Sequence, residues 1–159
     1  MNCDSSELVQ LSEEMISVAS PSSARVSRSI STSYYAMFHH VCGAACDLFL
    51  GTQDEENQLS RARSHLSRSI DHKILVRRLG LAQNADYEFP EPIVSFCNIL
   101  CTSYKNRITA DYDRNRDFSK SDAVKSCLDA KCAMENFDAV EEKHRRAFLM
   151  WALIEKPSR

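Results

Sequence analysis

The chain has 159 residues, of which 43% are hydrophobic and 26% charged, and its formal net charge is -2 at pH 7. This composition is that of a globular domain with a real core, and the near-neutral charge argues against indiscriminate nucleic-acid binding. Only three glycines and four prolines occur, and no run of β-branched residues alternates with polar ones. We therefore predict one all-α domain over residues 1–159.

Cysteine usage and hydropathy indicate where the protein works. The seven cysteines are an odd number, and several lie at helical spacings rather than in a disulfide framework. Residues 1–7 lack the basic and then apolar pattern of a secretory signal. No segment approaches the roughly 18–20 apolar residues that a membrane span needs. We expect a cytoplasmic protein with reduced thiols and no membrane association.

The first helix is predicted to begin at Asp4 or Ser5, either of which can cap it, and to end near Ala19. Pro21 then breaks the helical pattern. Four apolar residues spaced for one face predict its buried side, namely Leu8, Leu11, Met15 and Val18.

The central helix is predicted over residues 23–50, with Gly51 as its C-cap. It is apolar over two adjacent stripes, which is typical of a helix at the centre of a bundle. Gly43 inside it costs about 1 kcal/mol relative to alanine, a cost we expect to reflect the close approach of another backbone. The stripes are Tyr34, Phe38, Val41, Ala45 and Leu48, and Tyr35, His39, Cys42 and Cys46.

An acidic loop is predicted over residues 52–57, followed by a helix over residues 58–79 that can bend near Asp71. This helix has an apolar face and a local excess of positive charge. The excess is either an ordinary solvated surface or an electrostatic footprint for RNA or an acidic partner. The apolar face is Leu59, Ala62, Leu66, Ile70 and Ile74, and the basic residues are Arg61, Arg63, Arg68, Lys73, Arg77 and Arg78.

Two further helices complete an antiparallel bundle of four to five helices. After an irregular loop over residues 84–92, one runs from Pro92 to about Tyr112. The other opens at a capping box over residues 119–122 and can break near Glu141. Their apolar stripes are Ile93, Cys97, Leu100, Tyr104 and Ile108, then Ala123, Cys127, Ala130, Met134 and Phe137, and finally Ala147, Trp151 and Ile154.

Cofactor and metal chemistry find little support in the residue pattern. A Cys/His site between His39, Cys42 and Cys46 on one helix and Cys97 and Cys101 on another is geometrically possible. However, no C-x2-C knuckle occurs, and cysteine is a common core residue. Glycine-rich phosphate loops are also absent. We therefore expect neither a metal nor a cofactor.

A set of polar residues on the apolar helices remains to be explained, because buried polar groups need partners. The pair Arg107 and Asp111 is either an intrahelical ion pair or part of a groove where Arg107 binds phosphate. Arg61, Arg63 and Arg68 would extend such a groove. The full set is Tyr34, Tyr35, His39, His65, Arg107, Asp111 and Tyr112.

The sequence resembles the HEPN superfamily (higher eukaryotes and prokaryotes nucleotide-binding) in three short motifs that occur in the same order. They are residues 34–39, the pair Ser64-His65, and Arg107 followed by residues 110–112. It is most similar to the small stand-alone prokaryotic proteins of that group. The order and spacing match over about residues 10–140, which leaves a C-terminal helical extension to residue 156.

The resemblance implies an all-helical bundle that forms a homodimer. It also implies work beside a nucleotidyltransferase-type antitoxin in toxin–antitoxin or defence systems, with metal-independent ribonuclease activity in many members. In some pairs the partner adenylylates a tyrosine just after the catalytic motif, and Tyr112 lies in a comparable position.

The sequence departs from the catalytic signature that the resemblance implies, an arginine separated from a histidine by four to six residues. After Arg107 those positions hold Tyr112, Asp113 and Arg114. Cleavage needs a group that transfers a proton near neutral pH, which histidine does best. His39 or His65 could supply that imidazole from a neighbouring helix.

Three functions follow as hypotheses. The first is an RNA-binding or nucleotide-binding component of a toxin–antitoxin or defence system. The second is an active metal-independent ribonuclease of the same system. The third is an adaptor that binds another protein through its groove and the region of Trp151.

Overall fold

The computed structural model describes residues 4–51, 57–84, 88–113 and 115–154. Within these ranges it is all-helical, which confirms the predicted class. Seven α-helices occur there rather than four to five, because the third and last predicted helices each break in two. They are α1 Ser5–Ile16, α2 Ser23–Leu50, α3 Asn57–Ser69, α4 His72–Leu79, α5 Glu91–Tyr112, α6 Lys120–Asp138 and α7 Glu142–Leu153.

Helix α2 is the centre of the bundle, as predicted. Ser22 caps its start by accepting from the backbone N–H of Arg25, and Gly51 ends it with a φ of 76°. Both predicted stripes point inward, with Leu48, Tyr35 and His39 half-buried at the edges. The helix packs against α1, α3, α5, α6 and α7, and so its fully buried aromatic ring, Tyr34, lies at the core of the fold.

Helix α1 docks through a different face from the one predicted. Leu11 and Val18 are exposed, and the buried residues are Val9, Ser12 and Ile16. The Ser12 hydroxyl lies 2.8 Å from the hydroxyl oxygens of both Ser29 and Ser33 on α2. Satisfying these buried hydroxyls fixes the rotation of α1, a constraint that hydrophobic periodicity cannot reveal.

The predicted helix over residues 58–79 is interrupted at Asp71. The Asp71 carboxylate accepts from the backbone N–H groups of Lys73 and Ile74, and so it caps a new helix, α4. The prediction of one apolar face for the whole segment is therefore wrong beyond Ile70, since Ile74 is exposed while Leu75 and Leu79 are buried. Most of the predicted acidic loop, residues 52–56, lies outside the described residues.

Helix α6 follows the prediction closely, and α5 follows it except at Ile108, which is exposed although the predicted stripe buries it. Helix α7 does not follow it. The capping box at Ser119 and Asp122 is present, and the predicted α6 stripe is fully buried. On α7 the buried residues are Phe148, Leu149 and Ala152, whereas Ile154 is exposed. The break at α6–α7 resets the helical register, so a stripe extrapolated through it selects the wrong face. The predicted extension to residue 156 ends outside the described residues.

The described helices include none that combines the length and apolar character needed to cross a membrane. Their packing leaves one cluster of polar and aromatic side chains where α2, α4 and α5 meet. This cluster contains most of the polar residues singled out by the sequence.

Candidate functional site

Tyr34 is the buried base of the cluster. Its side chain is fully buried, and its hydroxyl lies 2.6 Å from His72 Nδ1. Burial raises the pKa of Tyr34, so the hydroxyl stays neutral at physiological pH. A buried hydroxyl requires a partner, and His72 supplies it.

His72 is the first residue of α4, directly after the cap at Asp71. Its ring stacks on Phe38 with centroids 3.7 Å apart and an angle of 16° between the planes. Burial, and then the positive charge of Arg107, lower the pKa of His72. The imidazole is therefore neutral at pH 7 and can accept or relay a proton.

Arg107 is the residue through which α5 joins this cluster. Its Nη2 donates to the Tyr35 hydroxyl at 2.6 Å, and its guanidinium lies 5.3 Å from the centroid of the Tyr35 ring. On the other side the guanidinium lies 5.8 Å from the Tyr112 ring, whose side chain is 71% exposed. Two aromatic rings thus hold one arginine at the edge of the core.

Asp111 opposes the charge of Arg107. Its Oδ2 lies 3.1 Å from Arg107 Nε as a charge contact without hydrogen-bond geometry, and its Oδ1 accepts from the Ser31 hydroxyl at 2.7 Å. Arg28 Nη1, on a side chain that is 70% exposed, approaches the same oxygen at 3.8 Å. Two arginines against one aspartate leave the site with an excess positive charge.

The two histidines predicted as sources of an imidazole lie in different surroundings. His39 is half-buried with its ring centroid 6.5 Å from that of Tyr35, and burial lowers its pKa. His65 is exposed on α3, and in the described part of the chain it joins no ring contact with this cluster. The structure thus brings His39, and not His65, towards Arg107.

The three arginines predicted to extend the groove do not act together. Arg61 and Arg68 are exposed on α3. Arg63 instead turns toward α2, where its Nη1 lies 2.9 Å from Asp47 Oδ1 and its Nη2 donates to the Gly51 carbonyl. Arg61, Arg68 and Lys73 remain exposed, and Arg28 approaches Asp111, the partner of Arg107.

Sequence reasoning missed three members of the site, namely His72, Arg28 and Ser31. His72 had one available signal, since it follows directly on the predicted bend at Asp71. Arg28 precedes the tyrosine pair on α2 by two helical turns and Ser31 precedes it by one, and only the packing of α5 brings Asp111 to them. Such pairings between distant segments carry no local sequence signal.

The chemistry available here combines a guanidinium, neutral imidazoles and phenol hydroxyls. Among the described residues, no group of three or more His, Cys, Asp or Glu side chains is placed to hold a metal ion. The arrangement suits recognition of a phosphate by Arg107 and stacking of a base on Tyr112.

Comparison with known proteins adds no relative to this description. No protein-family model matches the chain, and no curated protein or solved structure matches it either.

Proposed function

We propose that this protein binds RNA or a nucleotide through Arg107, Tyr112 and the basic residues of α3 and α4. In this proposal it is a HEPN-like component of a toxin–antitoxin or defence system. The observation that carries it is the position of Arg107 beside two tyrosine rings, Tyr35, which is half-buried in the cluster, and Tyr112, which is exposed.

Arginine beside an exposed aromatic ring is a recurring arrangement for single-stranded nucleic acid. The guanidinium binds a backbone phosphate while the ring stacks on a base, and each stacked base contributes about 1–3 kcal/mol. Tyr112 is the most exposed large apolar side chain of the described residues, which leaves its face open for such stacking.

Charge around Arg107 favours an anion despite Asp111. Arg28, which approaches Asp111 at 3.8 Å, and Lys73, which follows His72 in the chain, are exposed, and α3 adds the exposed cations Arg61 and Arg68. Asp111 reduces the affinity for phosphate but also holds Arg107 in place, because a carboxylate fixes the direction of a guanidinium. We infer a moderate, salt-sensitive affinity rather than tight binding.

The proposal includes two partners, a second copy of the chain and a nucleotidyltransferase-type antitoxin. A homodimer would bring two Arg107 clusters to one cleft, and a nucleotidyltransferase-type antitoxin could modify Tyr112, whose exposure supports access. The adaptor hypothesis has less support from the region of Trp151. That ring packs on Phe89 with centroids 5.2 Å apart, and Arg78 donates to the Trp151 backbone carbonyl.

Substitutions at Arg107 and Asp111 test the proposal, because they are expected to change the RNA affinity in opposite directions. Arg107→Ala is expected to weaken binding of a fluorescent single-stranded RNA about 10- to 100-fold, since a charged hydrogen bond is lost. Asp111→Asn is expected to strengthen it about fivefold, since a repelling charge near phosphate is removed. Fluorescence anisotropy over a series of salt concentrations measures both, and Arg107→Ala should reduce the salt slope by about one.

The control for these variants is Lys125→Ala, which removes an exposed charge from α6. It is expected to leave RNA affinity unchanged, and circular dichroism checks that each variant keeps its helices. Equal affinities for Arg107→Ala and Lys125→Ala would contradict the proposal, as would binding that is insensitive to salt.

The second candidate function, ribonuclease activity, is favoured by one observation. His72 Nδ1 lies 2.6 Å from the Tyr34 hydroxyl, and burial, and then the charge of Arg107, lower the pKa of His72. If Nδ1 carries the proton and donates to Tyr34, Nε2 presents a lone pair as a general base. It could take the proton of a ribose 2′-hydroxyl, whose oxygen attacks the adjacent phosphorus. The bond to the 5′ oxygen then breaks, and that oxygen takes a proton from solvent.

The ribonuclease hypothesis predicts that purified protein cleaves RNA in the presence of EDTA and leaves cyclic phosphate ends. His72→Asn keeps a hydrogen-bonding partner for Tyr34 but removes the base, and we expect the rate to fall at least 100-fold. His65→Asn, on the exposed side of α3, is the matched control. Intact RNA at high protein concentration, or equal rates for the two variants, would exclude this function.

A further inference from the structure

Helix α3 covers two buried thiols of α2. Cys42 and Cys46 lie one helical turn apart, and their side chains are only 2% and 3% exposed. The Ser67 hydroxyl hydrogen-bonds the Cys42 thiol, and the Cys46 thiol donates to the Arg63 backbone carbonyl at 3.7 Å. Ser67 and Arg63 are also one turn apart on α3, so both thiols lie beneath the same face of that helix.

The cover itself is weakly packed. Across residues 58–69 of α3 no side chain is buried, whereas every other α-helix described buries part of its apolar face. Among the described helices, α2 is the principal neighbour of α3. Segments with few buried apolar contacts open locally at a lower free energy than the rest of a fold. We therefore expect α3 to separate from α2 before the bundle unfolds.

A cavity beside α3 deprives it of a second supporting helix. The cavity has a volume of about 850 Å³ and is lined by Arg63 and Ser67 of α3 and by Arg146 and Leu149 of α7. Gly43 of α2 also lines it, and a Cβ built there would meet no atom within 4 Å. The close approach of another backbone that the sequence predicts at this glycine is therefore wrong. Helix α3 rests on α2 and faces open space towards α7.

One side chain ties α3 to α2. The Arg63 Nη1 lies 2.9 Å from Asp47 Oδ1, and its Nη2 donates to the Gly51 carbonyl. The Asp47 side chain is half-exposed, and ion pairs in contact with water stabilise a fold only slightly. A separate helix of 13 residues is itself marginal in water, so α3 is expected to unravel once it leaves α2.

The covered thiols are unreactive while α3 is docked. Burial raises the pKa of Cys42 to about 12, and burial also raises the pKa of Cys46 above its ordinary value. Only the thiolate attacks electrophiles, so both groups are inert in this state. Opening of α3 admits water, which removes the cause of the raised pKa and makes the sulfur atoms accessible together.

We propose that Cys46 is a gated modification site, which small disulfides such as oxidised glutathione reach when α3 opens and whose modification keeps α3 open. In this step the Cys46 thiol gives its proton to solvent and its sulfur attacks one sulfur of the disulfide. The bond between the two disulfide sulfurs breaks, a mixed disulfide forms, and the other half leaves as a thiolate. The attached group cannot fit between the Cys46 sulfur and the Arg63 carbonyl, which are 3.7 Å apart.

The first test compares thiols of equal burial in the native protein. Cys97 is 0% exposed like its counterparts on α2, but it lies on α5 in the main core cluster. Ellman's reagent, a small aromatic disulfide, is added without denaturant, and peptide mass spectrometry measures the rate at each cysteine. Cys46 and Cys42 are expected to react at least about tenfold faster than Cys97. Equal rates would mean that these thiols react only after global unfolding, which would overturn the proposal.

Substitutions at the tie test whether α3 is the gate. Arg63→Ala is expected to speed the reaction of Cys46 about three- to tenfold, and Asp47→Asn about two- to fivefold, without any change at Cys97. Ser60→Ala, on an exposed side chain of α3, is the matched control and should leave all rates unchanged. A rise of the same size at Cys97 would indicate destabilisation of the whole bundle and would contradict a local gate.

Trypsin reports whether the modification holds α3 open. The enzyme cleaves after arginine, and α3 contains three arginines that are protected only while the helix is folded and docked. Treatment with oxidised glutathione is expected to accelerate cleavage within α3, and Cys46→Ser should abolish this response. Cys132→Ser, which removes an exposed thiol of α6, is the control and should retain it. Unchanged cleavage of the modified wild type, or an equal response in both variants, would overturn the proposal.

Discussion

Replacing His72 by alanine is expected to lower the free energy of unfolding by about 2–4 kcal/mol. The variant leaves the buried Tyr34 hydroxyl without its partner at 2.6 Å, which costs about 1–3 kcal/mol. It also removes the ring stacked on Phe38 at 3.7 Å, worth about 0.5–1.5 kcal/mol beyond its buried area. Urea unfolding followed by circular dichroism measures the change.

A double-mutant cycle with Tyr34→Phe separates these two contributions. Without the hydroxyl, nothing is left unsatisfied when His72 is removed, so His72→Ala should cost less in the Tyr34→Phe background. His65→Ala, on an exposed side chain of α3, is the control and should change stability by less than about 0.5 kcal/mol. Additive effects of Tyr34→Phe and His72→Ala would show that the hydrogen bond contributes little.

Stability is expected to fall as the pH is lowered below about 6.5, before the carboxylates titrate. The pKa values of His72 and His39 are both lowered, in each case first by burial, from an ordinary value of 6.5. The unfolded chain therefore binds protons at a higher pH than the folded chain, and each histidine contributes a slope of at most about 1.4 kcal/mol per pH unit. Above the unfolded pKa this contribution is fully present, and it is lost as the pH falls to the folded values.

Urea unfolding at a series of pH values between 7.5 and about 5 checks this expectation. His72→Asn should remove part of the slope and the double variant with His39→Asn most of it. The carboxylate caps act at lower pH, because hydrogen bonds lower the pKa of Asp71 and Asp122 below 3.8. A stability that is flat from pH 7.5 to 5 in the wild type would contradict the burial of both imidazoles.

These two predictions also bear on function, because His72 serves the fold and the site at once. The neutral imidazole satisfies Tyr34, and the same neutrality makes it a possible base beside Arg107. For this reason His72→Asn, which retains a hydrogen-bonding group, is the better variant for activity, and His72→Ala the better one for stability.

The sequence by itself determined the helical class, the central position of α2 and the buried faces of α2 and α6. These features follow from apolar residues at a period of 3.6 and from caps such as Ser119 and Gly51, which act within a few residues along the chain. The sequence also predicted Tyr35, Arg107 and Asp111 as site residues. In the structure Arg107 donates to the Tyr35 hydroxyl and forms an ion pair with Asp111.

Only the tertiary structure decided the features that depend on contacts between distant segments. The face of α1 follows from the hydroxyl cluster of Ser12, Ser29 and Ser33, and the rotation of α7 from the break that precedes it. Packing of α4 brought His72 to Tyr34, left His65 in solvent, and turned Arg63 away from Arg61 and Arg68. Local periodicity sets which residues share a helix face, but the rotation of each helix about its axis is chosen by the polar groups and side-chain volumes that meet across the bundle.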